Sequence, residues 1–164
     1  MTRERGYRLR VTATVIATVV IGLLLLWEHA HGGIPRHHFL NRADMPAVSN
    51  AWSGLLIPVL TWFLVGRMIR RDGHHVAIGF GAALLYGAAL AVTFLTGHEN
   101  ITQYLFFGMF ALALAMPVYR GEYVLGFIVG MTPTFGAILP AFFASLIAAL
   151  SGIVHYYVHP VFRR

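Results

Sequence analysis

The sequence predicts an all-α fold, a polytopic bundle of six transmembrane helices that forms a single integral membrane domain over residues 1–164. Hydrophobic residues make up 58% of the chain and charged residues only 11%, and uncharged runs of membrane-spanning length recur along it. Soluble globular domains carry roughly 25% charged residues, so a soluble fold of this size could not cover so much apolar surface. The alternative is five spans with a re-entrant segment.

The first predicted span is interpreted as a retained helix. It follows the basic residues 1–10 and stays uncharged over residues 11–27, whereas the apolar core of a signal peptide is usually about 7–15 residues long. The sequence that follows, Trp-Glu-His-Ala-His, is a poor cleavage site. The six predicted spans cover residues 11–27, 47–66, 76–97, 101–119, 123–139 and 140–158.

The last two spans are predicted from a stretch that is too long for one helix. Residues 123–158 carry no formal charge apart from His155, and a single helix over them would extend roughly 50 Å, against about 30 Å of hydrocarbon. Pro133 and Pro140 both disfavour a continuous helix. We therefore predict a break between residues 139 and 140. A half-helix followed by one full span is the five-span alternative.

Small residues recur at four-residue spacing on three of the predicted spans. This spacing lets two helices approach closely in lipid, so it predicts helix packing rather than a ligand site. The number of such stripes also hints at a homo-oligomer or a larger membrane complex. The stripes are Gly79, Ala83, Gly87 and Ala91; Gly126 and Gly130; and Ala144, Ala148 and Gly152.

The distribution of arginine predicts the orientation. Six spans place both termini on one side, and that side holds ten of the twelve arginines, whereas the other holds Arg36 and Arg42. Because cytoplasmic loops are rich in basic residues, both termini are expected in the cytoplasm and the loop of residues 28–46 in the periplasm. The ten arginines are Arg3, Arg5, Arg8, Arg10, Arg67, Arg70, Arg71, Arg120, Arg163 and Arg164.

Composition also indicates a source and a set of partners. All twelve basic residues are arginine and none is lysine, which is typical of a GC-rich genome and hints at a bacterial inner membrane. A net charge of +6 would suggest nucleic acid for a soluble protein. At the ends of spans, however, arginine meets lipid headgroups, so the predicted partner is the lipid bilayer and not nucleic acid.

Several functional classes are disfavoured by what the sequence lacks. No predicted span contains Asp, Glu, Lys or Arg, whereas proton relays and coupled pumps usually hold an ionisable group inside the membrane. There is no cysteine, which removes disulfides, thiolate ligands and cysteine nucleophiles. No GxSxG, P-loop or GxGxxG pattern occurs, and the four serines have no adjacent histidine and acid signature.

Polar chemistry is concentrated at the predicted external ends of the spans. Imidazole and carboxylate groups together bind divalent transition metals, and histidine titrates near neutral pH. The alternative interpretation is that these histidines hydrogen-bond to headgroups and helix ends. The candidate metal ligands are Glu28, His29, His31, His37, His38, His98 and Glu99, and the candidate ligand-binding residues are Asn50, Trp52, Gln103 and Tyr104.

The sequence thus favours a small polytopic inner-membrane protein that is not an enzyme. It would bind an ion, a small ligand or a partner through a histidine- and acid-rich external face, as a transporter-like protein or an accessory subunit. The alternative is a membrane-embedded, metal-dependent enzyme that uses the same external cluster of histidine and glutamate.

Overall fold

The computed structural model describes residues 3–38 and 47–158, and these residues form helices joined by short turns. One small antiparallel hairpin pairs β1 (Arg36–His38) with β2 (Ala47–Ser49), with His37 opposite Val48. The helices are α1 (Arg3–Ala30), α2 (Ser53–Met68), α3 (Gly73–Leu95), α4 (Glu99–Ala115), α5 (Gly121–Phe135) and α6 (Ile138–Ile153), with a 3₁₀ turn at Asn50–Trp52 and a π turn at Val154–Val158.

The structure confirms the all-α class and the membrane-spanning character of the chain. Four helical segments of the described residues are long and apolar enough to cross a bilayer. With 17 and 15 residues, α4 and α5 are shorter and would extend about 25 and 22 Å at the usual helical rise. The four candidate spans are Arg3–Ala30, Asn50–Met68, Gly73–Leu95 and Ile138–Tyr157.

Neighbouring helices show how the chain reverses direction. In the pair α1 and α2, Gly6 meets Ile69 at one end and Leu25 meets Gly54 at the other, so these two helices are antiparallel. We call the end of the bundle that holds Gly6 and Ile69 the arginine end, because α1 begins there with Arg3. The opposite end is the Glu28 end.

Two pairs of helices run in the same direction. Along α3 and α5, Gly79 meets Glu122 at the arginine end, and the rings of Phe94 and Phe135 lie 4.8 Å apart at the Glu28 end. The pair α4 and α6 is related in the same way. Their rings of Phe106 and Phe143 are 5.6 Å apart, and Ser151 donates a hydrogen bond to the Met116 carbonyl near the arginine end.

The α3 and α5 backbones approach closely through the predicted glycine stripes. A Cβ atom added to Gly130 would lie 2.3 Å from the Leu84 carbonyl oxygen, and one added to Gly126 would lie 2.4 Å from the Phe80 carbonyl oxygen. The predicted packing role of these stripes is therefore confirmed. Because both stripes are used within one chain, they give no support to the predicted oligomer.

The α5–α6 break lies earlier than the sequence predicts. It occurs at Gly136, where the backbone has φ 69°, rather than between residues 139 and 140. Glycine reaches this left-handed region without the steric cost that a side chain carries. Pro133 is accommodated in α5, and Pro140 lies in the first turn of α6, where a missing backbone N–H leaves no helical hydrogen bond unmade.

Other predicted boundaries also differ from the structure. Residues 47–52 of the predicted second span form β2 and the 3₁₀ turn before α2 begins at Ser53, and α3 covers Gly73–Leu95 rather than residues 76–97. The first helix begins at Arg3 rather than at residue 11, and its Arg10 lies over the Trp62 ring at 4.0 Å from the ring centroid while donating from Nε to the Trp62 carbonyl at 2.6 Å. The fourth helix ends at Ala115 rather than at residue 119. Met116 is extended there because the following residue, Pro117, disfavours the helical conformation before it.

Replacing Gly130 by alanine tests the close α3–α5 contact. We expect Gly130→Ala to lower the free energy of unfolding by about 1–3 kcal/mol or more, because its Cβ meets backbone that cannot rotate away. The matched control is Gly22→Ala on α1, where nothing lies within 4 Å of the added Cβ. Thermal unfolding in detergent should show the control unchanged or stabilised, and equal midpoints would contradict the contact.

Candidate functional site

Three polar side chains are buried together at the Glu28 end of the bundle. Glu28 is in the last turn of α1, Asn50 opens the 3₁₀ turn, and Ser53 is the first residue of α2. Their relative exposures are 6%, 2% and 1%, so all three are removed from solvent. We call these three residues, with the backbone of Gly136 and Ala137, the Glu28 cluster.

A chain of hydrogen bonds runs through the cluster. The Asn50 Nδ2 donates to Glu28 Oε1 at 2.5 Å, and the Ser53 hydroxyl donates to Asn50 Oδ1 at 2.6 Å. The backbone N–H of Ala137 donates to the Ser53 Oγ at 2.8 Å. The carboxamide therefore uses its donor and its acceptor at once, which fixes its orientation. The cluster joins the ends of α1 and α2 to the turn between α5 and α6.

The local sequence explains how these side chains reach one another. Gly32 and Gly33 have φ of 119° and 98°, so they turn the chain sharply out of α1, and the Gly33 N–H closes on the Glu28 carbonyl at 3.0 Å. The chain returns through the hairpin, where the Asn50 N–H donates to the Pro35 carbonyl at 2.9 Å. Asn50 and Ser53 are three residues apart and so lie on one side of the helix.

The α5–α6 turn fits the cluster because residue 136 is glycine. An added Cβ at Gly136 would lie 2.7 Å from the Asn50 Oδ1, closer than real Cβ contacts allow. The left-handed φ at this position also disfavours any other residue. Gly136 thus lets the turn approach the carboxamide closely enough for the Ala137 N–H to reach Ser53.

Most of the other predicted site residues are exposed and lie outside the Glu28 cluster. His29, His31, His98 and Glu99 are exposed at this end, as are Trp52, Gln103 and Tyr104. Of the predicted ligand-binding residues, only Asn50 lies in the cluster. The structure therefore joins Glu28 from the predicted metal ligands with Asn50 from the predicted ligand-binding set.

Two exposed histidines are oriented by hydrogen bonds. His31 stacks on Trp27 with ring centroids 4.7 Å apart, and its Nδ1 lies 2.9 Å from the Trp27 carbonyl oxygen. Since a carbonyl oxygen only accepts, Nδ1 carries the proton, and in the neutral ring Nε2 keeps its lone pair. The His98 Nδ1 lies 2.8 Å from the Thr96 hydroxyl, which also lies 2.8 Å from the Val92 carbonyl oxygen.

The predicted metal site stays a prediction. Among the side chains that the structure describes, no three of His, Asp and Glu lie close enough together to hold a metal ion. The side chains of His37 and His38 fall outside that described set. A site with three such ligands at this end would therefore need at least one side chain outside the described set, such as His37, His38 or Asp44.

Sequence reasoning missed three members of the cluster, Ser53, Gly136 and Ala137. The signal for Ser53 was its three-residue spacing from Asn50, which places both on one helix face. The signal for Gly136 was weaker, because a glycine after a helix predicts a turn but not what the turn approaches.

A second buried acid, at the arginine end, was also missed. Glu122 is 2% exposed, forms an ion pair with Arg71, and packs its Cγ against Gly79 of α3. It lies in the first turn of α5, where a carboxylate is favoured by the helix dipole.

A second acid near this end, Asp72, is exposed. His75 donates a hydrogen bond to its carboxylate at 2.5 Å, and this bond lowers the pKa of Asp72. The same carboxylate also accepts a hydrogen bond from the His74 N–H.

Comparison with known proteins adds no assignment: no protein-family model, curated protein or solved structure matches the chain. The geometry of the two ends of the bundle is therefore the basis for a functional proposal.

Replacing Asn50 by alanine tests the cluster. Asn50→Ala removes the hydrogen bonds that the carboxamide forms with the Glu28 carboxylate and with the Ser53 hydroxyl, both of which are buried. Because buried polar groups that lose a hydrogen bond are destabilising, we expect the free energy of unfolding to fall by about 2–4 kcal/mol. The matched control is Asn100→Ala, an exposed asparagine at the start of α4. Equal thermal midpoints for the two variants would show that the cluster contributes nothing to stability.

The ion pair at the arginine end gives a separate prediction. Arg71→Gln should lower the free energy of unfolding by about 1–3 kcal/mol, less than for a fully buried pair because Arg71 is 34% exposed. Arg70→Gln, at the exposed neighbour, should change it by no more than about 0.5 kcal/mol. Chemical denaturation in detergent compares the two, and a larger loss for Arg70→Gln would contradict the assigned partner.

Proposed function

We propose that the chain crosses a bacterial inner membrane six times, with both termini in the cytoplasm and the loop of residues 28–46 in the periplasm. The support is geometric and electrostatic. Successive helices reverse direction, and α5 runs beside α3 from Gly79 to Phe94, so it extends through the same depth as a candidate span. In this arrangement, the arginine end faces the cytoplasm, as the excess of basic residues there favours.

We further propose that the protein binds an ion, a small ligand or a partner at its external Glu28 end, as a transporter-like protein or an accessory subunit. The observation that carries this proposal is the buried carboxylate of Glu28, held in a hydrogen-bonded cluster where three parts of the chain meet. Burying a carboxylate costs several kcal/mol, and an apolar side chain of similar size would often stabilise the fold as well. Retaining the acid is therefore better explained by function than by packing.

The oriented imidazole of His31 favours an ion among these ligands. His31 donates from Nδ1 to a carbonyl, which leaves the Nε2 lone pair of its exposed ring available to a cation. Such a hydrogen bond to the second ring nitrogen is common among histidines that bind metals, because it fixes the ring and raises its basicity. The cluster would hold the hairpin and the end of α1, which carries Glu28, in a fixed geometry close to His31.

Cysteine labelling tests the six crossings, because the natural chain contains no cysteine. Single substitutions Arg36→Cys and Thr96→Cys should react with a membrane-impermeant maleimide in intact spheroplasts. The substitutions His74→Cys, Arg120→Cys and Tyr157→Cys should react only after lysis. Tyr157 is 73% exposed, so reaction is not limited by burial, and its labelling in intact spheroplasts would favour five crossings.

A zinc titration tests the ion-binding proposal. The full chain in nanodiscs should bind about one Zn²⁺ in a saturable manner, and His31→Ala should weaken this binding at least tenfold because it removes a ligand. The matched control is His74→Ala, an exposed histidine at the opposite end, which should bind as the natural chain does. Absence of saturable binding, or equal weakening by both variants, would rule out an ion site at the Glu28 end.

A further inference from the structure

An apolar cleft opens on the side of the bundle between α1 and α3. Its volume is about 550 Å³, and α2 and α5 form its back wall. Of the described residues that line the cleft, only Thr61 and Thr132 have polar side chains. Each hydroxyl already donates to a carbonyl of its own helix, at 2.8 and 2.7 Å. The cleft therefore presents hydrocarbon to whatever occupies it.

The cleft runs along most of the length of the bundle. On α1 its wall runs from Ala13 to Leu24, and on α2 from Ile57 to Met68. The two walls are offset, because Met68 precedes the residue that meets Gly6, whereas Leu24 precedes the residue that meets Gly54. The lining therefore extends over about 18 helical residues, or roughly 27 Å, which is close to the roughly 30 Å hydrocarbon thickness. Met68 and Gly73 line the end of the cleft that lies at the arginine end of the bundle. An acyl chain that enters from that end would lie along it.

Two exposed arginines lie near the end of the cleft that Met68 and Gly73 line. Arg67 directly precedes Met68, and Arg70 lies in the short turn before Gly73. Within the part of the chain that the structure describes, neither forms an ion pair, whereas Arg71 is engaged by Glu122. Two unneutralised guanidinium groups beside an apolar cleft between helices attract an anionic headgroup.

We propose that this cleft binds one anionic phospholipid, with an acyl chain between α1 and α3 and its phosphate on Arg67 and Arg70. An empty cleft would forfeit dispersion contacts, and lipid is the solvent at this depth. A second copy of the chain is a poorer occupant. Copies in one membrane share an orientation, so the copy would bring its own arginine end beside Arg67 and Arg70, and like charges repel. The proposed headgroup site, at Arg67 and Arg70, lies at the opposite end from the Glu28 cluster, and the proposal does not rest on the function proposed above.

Native mass spectrometry tests the proposal with lipids of defined composition. The full chain is reconstituted into vesicles of equal phosphatidylglycerol and phosphatidylcholine with identical acyl chains, then extracted in mild detergent, and the retained lipids are counted. We expect about one bound lipid per chain, with phosphatidylglycerol favoured at least fivefold, which corresponds to ~1 kcal/mol for one arginine near a lipid surface.

Substitutions then separate the headgroup from the acyl chain. Arg67→Gln and Arg70→Gln together should bring the lipid ratio to about one, whereas Arg36→Gln, the same charge change at the other end, should leave the preference intact. Ala77→Phe fills the cleft from α3 and should remove the bound lipid, whereas Ala149→Phe, at an exposed alanine of α6, should not.

Three outcomes would overturn the proposal. They are equal retention of the two lipids by the natural chain, lipid retention unchanged by Ala77→Phe, and a dimer that Ala77→Phe converts to a monomer while the lipid ratio is near one. The last would assign the cleft to a second copy. If Ala77→Phe does not fold, as judged by its thermal midpoint, Ala13→Phe fills the same cleft from α1 and replaces it.

Discussion

The close approach of α3 and α5 is the constraint on which the rest of the bundle depends. Glycines at the contact bring one helix to within van der Waals distance of the backbone of the other, so neither can slide without a clash. That fixed register sets the depth at which α5 ends. Gly136 therefore arrives beside Asn50, and the Ala137 N–H reaches Ser53. At the other end, the same register seats Glu122 against Gly79 and within reach of Arg71.

Local patterns were enough to predict the class of fold and the role of the glycine stripes. Uncharged runs indicated membrane helices, and four-residue spacing of small residues indicated helix packing, because both signals are contained in a short segment. The break near residue 136 was placed too late because Pro140 was treated as the breaker. Proline at the start of a helix leaves no bond unmade, so glycine with a left-handed backbone ends α5 instead.

The site could be predicted only in part, because its members come from distant parts of the sequence. Glu28 and Asn50 were both identified as candidates, but their hydrogen bond spans 22 residues and could not be deduced from either segment alone. Ser53 and Ala137 are 84 residues apart, and no periodicity connects them. Glu122 lies between two predicted spans, at a position where a charged side chain usually faces solvent. Its burial follows from the α3–α5 register, which is a tertiary property.

The polar and ring contacts that hold the first helix to the rest of the bundle lie near its two ends. Arg10 and Tyr7 hold it on Trp62 near the arginine end, with the Tyr7 and Trp62 rings 6.2 Å apart, and Glu28 is bound to Asn50 at the Glu28 end. Between these two anchors, α1 forms one edge of the cleft, and many of its side chains face outwards. Between the anchors the helix is held by apolar contacts, such as those of the buried Ile21. Because apolar contacts are non-directional, side chains along the opening can change rotamer without breaking a hydrogen bond. The opening between α1 and α3 can therefore adjust to acyl chains of different thickness and unsaturation while both polar anchors stay in place.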